Sequence, residues 1–123
     1  MSTRVLLVDP SPAIYRVAAW ELCSEDLWVR GVPTAQDALD LLEQWMADLL
    51  VIAVTLPDVP PRRLAEVACR RWTVRTAFMG YAMPQEEYRT RPRIPWIQKD
   101  KVTGTRLRAL AHDLRPCAYS GDD

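Results

Sequence analysis

The 123-residue chain carries no net charge, with 16 basic and 16 acidic residues. That neutrality, and the lack of any helix built to read bases, weighs against nucleic acid as a partner. No apolar run approaches the roughly 20 residues needed to cross a bilayer. Met1-Ser2-Thr3-Arg4 leads straight into an apolar stretch with no cleavage-site pattern, so no signal peptide, no membrane association and a cytoplasmic location are expected. Cysteine is scarce: Cys23, Cys69 and Cys117 are odd in number, widely spaced and without a C-x-x-C pair. They read as reduced thiols, with neither a disulfide frame nor a zinc site. The one histidine, His112, sits beside an apolar helical stripe and reads as structural. No nucleophile–base pair is visible, which argues against an enzyme, and no cofactor is expected. Internal repeats and low-complexity segments are absent.

What is present is a chain that is 49% hydrophobic, enough for one domain with its own core. Five short apolar runs stand out: Arg4–Val8, Leu27–Val32, Leu49–Val54, Val74–Met79 and Ile94–Ile97. Near-continuous apolar strands imply a parallel sheet covered on both faces. Helical patterns separate them. Ser11-Pro12 opens the first; Ile14, Val17, Ala18 and Leu22 form its stripe. Thr34 caps the second, with Asp37 three residues on and Ala38, Leu41, Leu42 and Trp45 inward. Pro61 opens the third, with Leu64, Val67 and Ala68 inward, and Thr103 or Thr105 opens the last, with Leu107, Leu110, Ala111 and Leu114 inward. Between the fourth and fifth runs, Pro84 and Pro92 bracket a polar stretch that allows one short helix at most, around Gln85 to Tyr88.

This order predicts an α/β, flavodoxin-like, doubly wound sheet of five parallel strands, order 2-1-3-4-5, with a short or missing fourth helix. Residues 1–115 are expected to form the domain and 116–123 a flexible tail; the loose tail suggests a complete chain. Charge is uneven along it. Residues 1–60 hold three basic and nine acidic groups, −6, and residues 61–123 hold thirteen and seven, +6. Folding is expected to intermix the two, although such asymmetry can mark a partner surface.

Three stretches carry a family resemblance: Val5-Leu6-Leu7-Val8-Asp9-Pro10-Ser11-Pro12, the run from Asp48 through Ala53 to Leu56-Pro57-Asp58, and Trp96-Ile97-Gln98-Lys99. Across about residues 3–114 the chain resembles the receiver domain of bacterial two-component response regulators. The resemblance implies a pocket beyond the strand ends. There, two acids after the first strand and an aspartate ending the third hold Mg²⁺. The third-strand aspartate accepts a phosphoryl group, and a Ser or Thr and a lysine after the fourth and fifth strands contact it. In this chain Asp9 matches the first acid and Lys99 the lysine, but Pro10, Ala53 and Gly80 stand at the other places, and Asp100 replaces the usual following proline. A methyl group cannot form an acyl phosphate, and one carboxylate is a poor cage for Mg²⁺.

The resemblance therefore implies a degenerate pseudo-receiver that binds a signalling protein, or a second copy of itself, without phosphorylation. Trp96, at the aromatic position of the receiver output face, with Arg89, Arg91 and Arg93, forms the candidate interface; the plain alternatives are burial of Trp96 and a solvated basic loop. Asp9 and Lys99 are expected to pair. Two further readings stay open: a switch phosphorylated on a substitute carboxylate, for which Asp58 is a poor candidate because it should point away, and a small-ligand sensor using the Asp9–Lys99 pocket. Trp20, Trp28, Trp45 and Trp72 are expected mostly in the core, and any exposed together would mark an oligomer or partner surface.

Overall fold

The computed structural model describes residues 3–11, 27–81, 94–98 and 108–110. Within them the chain runs β1 (Thr3–Val8), β2 (Leu27–Val32), α1 (Ala35–Leu42), β3 (Leu49–Ala53), α2 (Pro61–Trp72), β4 (Arg75–Gly80) and β5 (Trp96–Gln98). All four strand pairings are parallel, and the sheet order is β2-β1-β3-β4-β5. The predicted first helix, the short fourth helix, Arg89, Arg91, Arg93, Lys99, Asp100 and the tail 116–123 lie outside the described residues.

Side chains alternate across each strand, so each of the central strands feeds two cores. Leu6 and Val8 of β1, Leu50 and Ile52 of β3 and Phe78 of β4 fill one side. Val5 and Leu7, Leu49 and Val51, and Ala77 and Met79 fill the other. This is why the strands read as unbroken apolar runs. The first side is covered by α1 and α2, through Ala35, Ala38 and Leu42 and through Leu64, Ala65 and Ala68. Both crossovers, β2 to β3 and β3 to β4, step the same way along the sheet, so right-handed connections put both helices on the same face. On the second side Leu110, in the helical residues 108–110, packs against the core.

The helix signals act as the residue types dictate. The Thr34 hydroxyl accepts from the Asp37 amide at 3.1 Å, and Pro61 occupies the first turn of α2. The inward stripe of α2 differs from expectation: Ala65 and Cys69 are buried, whereas Val67 is only half-buried. Trp45 lies past the end of α1 and packs from the following turn. The α2 helix ends on Thr73 in the left-handed region, φ 54°, with its amide donating to the Cys69 carbonyl at 2.8 Å, a conformation unfavourable for a β-branched residue. The expectation of three reduced thiols is corrected: Cys69 is disulfide-bonded, its partner lying outside the described residues. An odd cysteine count leaves one pair possible, and spacing carries no signal for it.

Two carboxylates tie separate segments together. At the lower end of the sheet, Asp48 Oδ2 accepts from the Arg4 amide at 2.7 Å, while the Asp48 amide donates to the Arg4 carbonyl at 2.8 Å. This holds the starts of β1 and β3 side by side. At the upper end, Asp58 in the β3–α2 loop accepts from the Ala35 and Gln36 amides, both at 3.0 Å. It thus satisfies two of the open N–H groups of α1 from outside the helix. Desolvation pushes the Asp58 carboxyl up, but the amides of Ala35, Gln36, Asp58 and Val59 together outweigh it and hold the group below its ordinary value of 3.8.

Removing this clamp with Asp58→Ala is expected to lower stability by about 1 kcal/mol, the usual cost of losing a helix N-terminal acceptor. The folded-state pKa is depressed, so the charge-dependent part is fully present above the unfolded value and is lost as pH falls through the folded one. In urea melts, the gap between wild type and Asp58→Asn should stay constant from about pH 7 to 5 and close below about pH 4. A gap that persists unchanged at lower pH would contradict the assignment.

Candidate functional site

In a doubly wound sheet the crevice opens beyond the carboxyl ends of the strands, where the strand order reverses. Here that place lies between β1 and β3. Asp9 follows β1, Ala53 ends β3 and Gly80 ends β4. The pairing of Val8 with Ile52, and of Ala53 with Met79, brings these three positions to one rim. Pro10 is exposed beside Asp9. Lys99 follows Gln98 at the end of β5 and lies outside the described residues, and so does its expected pairing with Asp9.

Asp9 is a buried carboxylate, 1% exposed. Its backbone N–H donates to the Val32 carbonyl at 3.0 Å, and its Oδ1 accepts from the Ser11 amide at 2.8 Å. An aspartate closing on the amide two residues ahead makes a tight turn at the top of β1. The carboxylate is therefore at least partly a structural acceptor. Ala53 is fully buried, and the Val54 amide beyond it donates to the Met79 carbonyl at 3.0 Å. Asp58, further along the β3–α2 loop, is held on α1 and contributes nothing to this rim.

The β4–β5 side of the rim is closed by Trp96. Its partner in the sheet is Phe78, and β5 is further tied by the Phe78 amide donating to the Pro95 carbonyl at 2.8 Å. The indole is half-buried, packs against the first-side core and lies across Gly80. A Cβ on Gly80 would stand 2.8 Å and 2.9 Å from two carbons of the six-membered ring, and 3.1 Å from a Val54 methyl. Real Cβ contacts are not that close, so the ring occupies the volume that any side chain at position 80 would need. This fit is not legible in the sequence, where Trp96 and Gly80 stand far apart. Only a glycine at a strand end, which often marks a close approach, hints at it.

The donors that the described residues bring to the rim do not fit Mg²⁺. That ion asks for near-octahedral oxygen ligation. Asp9 offers one carboxylate, Pro10 and Ala53 offer none at side-chain level, and among the described residues no three acidic, histidine or cysteine side chains gather around one point.

Gly80→Ser should force the Trp96 ring outward. Expected are a red-shifted tryptophan emission and a loss of stability of about 1–3 kcal/mol, typical of overpacking. In a Trp96→Ala background the same substitution should cost far less, because the two residues are coupled. Equal costs in both backgrounds would contradict the packing described.

Compared with protein-family models and with the sequences of curated proteins, the chain matches none. Solved structures match over nearly its whole length. The chemotaxis response regulator CheY4 of Vibrio cholerae superposes with a TM-score of 0.75 at 16% identity, covering 89% of this chain and 97% of that one. A response regulator from Thermotoga maritima gives 0.78 at 14% identity, covering 92% and 100%. A CheY-like receiver domain protein from Methanospirillum hungatei gives 0.75 at 22% identity, covering 89% and 91%. The fold is the CheY-like receiver fold: five parallel strands in the order 2-1-3-4-5 with helices on the sheet.

Proposed function

We propose that the chain is a pseudo-receiver: a signal-transduction module that keeps the receiver fold, does no phosphotransfer and acts by binding another protein. The observation that carries this reading is Ala53. At the end of β3, beside Asp9 on the neighbouring strand, a receiver needs an aspartate oxygen to attack the phosphoryl donor, and here there is a buried methyl group. Pro10 removes a second carboxylate, and the Trp96 ring over Gly80 takes the room of a Ser or Thr hydroxyl. Each loss removes a different part of the same chemistry, and together they leave no acceptor aspartate at position 53 and no metal cage among the described residues.

In this reading Asp9 and Lys99 remain as a pair that supports the loops around the old pocket. The output face would pass to Arg89, Arg91 and Arg93 with the outward part of the half-buried Trp96 ring, a basic rim beside an aromatic edge that would meet a signalling protein. The module would work in the cytoplasm, as the receiver likeness implies; the Cys69 disulfide is the observation that pulls the other way. Substitution of another carboxylate for the missing one has no support from Asp58, whose oxygens are committed to α1.

Incubation of the full chain with acetyl phosphate and Mg²⁺, followed by intact mass spectrometry, tests the proposal. The mass is expected to remain unchanged at neutral pH. Stoichiometric gain of one phosphoryl group, lost on mild alkaline hydrolysis as an acyl phosphate is, would sink it.

A further inference from the structure

Away from the strand-end rim, the β2 edge carries an unusual set of side chains. Trp28 is 58% exposed although it lies within a strand, and Met46, in the turn after α1, is 79% exposed. Trp28 stands opposite Arg4 on β1, and Arg30 stands opposite Leu6, so Arg4, Trp28 and Arg30 share the face on which α1 sits. The Arg4 and Arg30 guanidiniums both lie over the Trp45 ring, 5.9 Å and 5.4 Å from its centroid. Among the described residues neither has an acidic side chain at ion-pairing distance, so ring stacking is what holds these two cations in place there.

Next to them an open groove of about 340 Å³ runs between β2 and α1, lined by Arg30, Val32, Asp37, Asp40, Leu41 and Gln44. Its acids are as uncommitted as its arginine. Among the described residues Asp37 and Asp40 form no ion pair, and Asp40 accepts only from the Gln36 side chain, at 3.0 Å. Arg30 shares this groove with the two acids, while Arg4 lies apart from them along the edge. Arg4 and Trp28 lie at the start of their strands, at the lower end. Asp37 and Asp40 lie on α1, which starts just beyond the upper end of β2.

We propose that this edge is an interface between two copies of the chain. An antiparallel, two-fold arrangement sets the lower end of one edge against the upper end of the other. Arg4 and Arg30 of each copy then meet Asp37 and Asp40 of its mate, and Trp28 and Met46 are covered between them. The patch is thus complementary to itself, which is the requirement of an isologous contact. Charge chooses this occupant over the alternatives. An acidic protein segment or a nucleic acid would satisfy the arginines but press its own negative charge on Asp37 and Asp40, and a basic partner would do the reverse. The interface does not rest on the fate of the strand-end pocket, and it would stand even if the chain were phosphorylated.

Sedimentation equilibrium of the full chain, at concentrations up to about 1 mM, tests this. Wild type is expected to show a monomer–dimer equilibrium. Arg30→Glu and Asp40→Lys should each weaken it by about tenfold or more, as loss and reversal of interfacial charge pairs do. An equimolar mixture of the two variants should restore association as a heterodimer, because each supplies the charge its mate now needs. A variant that failed to fold could not be restored by mixing, so the mixture separates misfolding from loss of the contact. Trp28→Ala, an exposed position, should weaken the dimer without lowering the midpoint of a thermal melt extrapolated to the monomer. A monomer at every concentration, a dimer indifferent to both charge reversals, or a mixture that stays monomeric would each overturn the proposal. Binding of an acidic peptide or an oligonucleotide at this edge in place of self-association would overturn it as well.

Discussion

The register between β1 and β3 is the constraint on which the rest depends. Val8 stands opposite Ile52, both fully buried, and a slip of one residue would turn every core side chain of one strand to the wrong layer. The two strands run parallel in the middle of the sheet, with α1 and α2 packed on one face and a second apolar core on the other, so neither face can tolerate the change. Asp48 reinforces the pairing at the lower end through its bonds to Arg4. With that register set, Asp9 and Ala53 must emerge side by side at the upper end. The geometry that in a receiver would bring acids together brings together an acid and a methyl group.

The same register explains how, in the proposed reading, a chain can keep a fold while losing its chemistry. The residues that hold the sheet are Val, Leu, Ile and Phe within the strands, and none of them is at the rim. Clustered carboxylates repel one another and are costly to hold without a cation. In that reading, Pro10 and Ala53 at two of those places relieve the repulsion and leave the packing below untouched. Trp96 fills the space at Gly80 and adds apolar contact to the first-side core.

Much of this is legible in the residues. The buried strands announce themselves as apolar runs because a parallel sheet hides both faces, and Thr34 and Pro61 mark helix starts because their side chains suit those positions. Ala53 can be located since Leu-Pro-Asp follows the strand at a known spacing. Interactions between distant segments are not legible. Asp58 caps a helix that begins 23 residues earlier, and nothing local signals it. Trp28 reads as a core residue, since an aromatic between Leu27 and Val29 looks buried, yet an edge strand turns alternate side chains outward to solvent. The Cys69 disulfide contradicts the expectation of free thiols, because spacing alone does not report which cysteines meet.

A rim that sets one carboxylate beside a methyl group and a glycine should have no affinity for a phosphoryl group and its metal. The most direct measurement is an amide NMR titration of the chain with Mg²⁺ and beryllofluoride, the stable mimic of an acyl phosphate, following the signals of Asp9, Ala53 and Gly80. No saturable shift is expected at any of the three. Saturable shifts at all three, dependent on both components, would reveal a working acceptor site and contradict the pseudo-receiver reading.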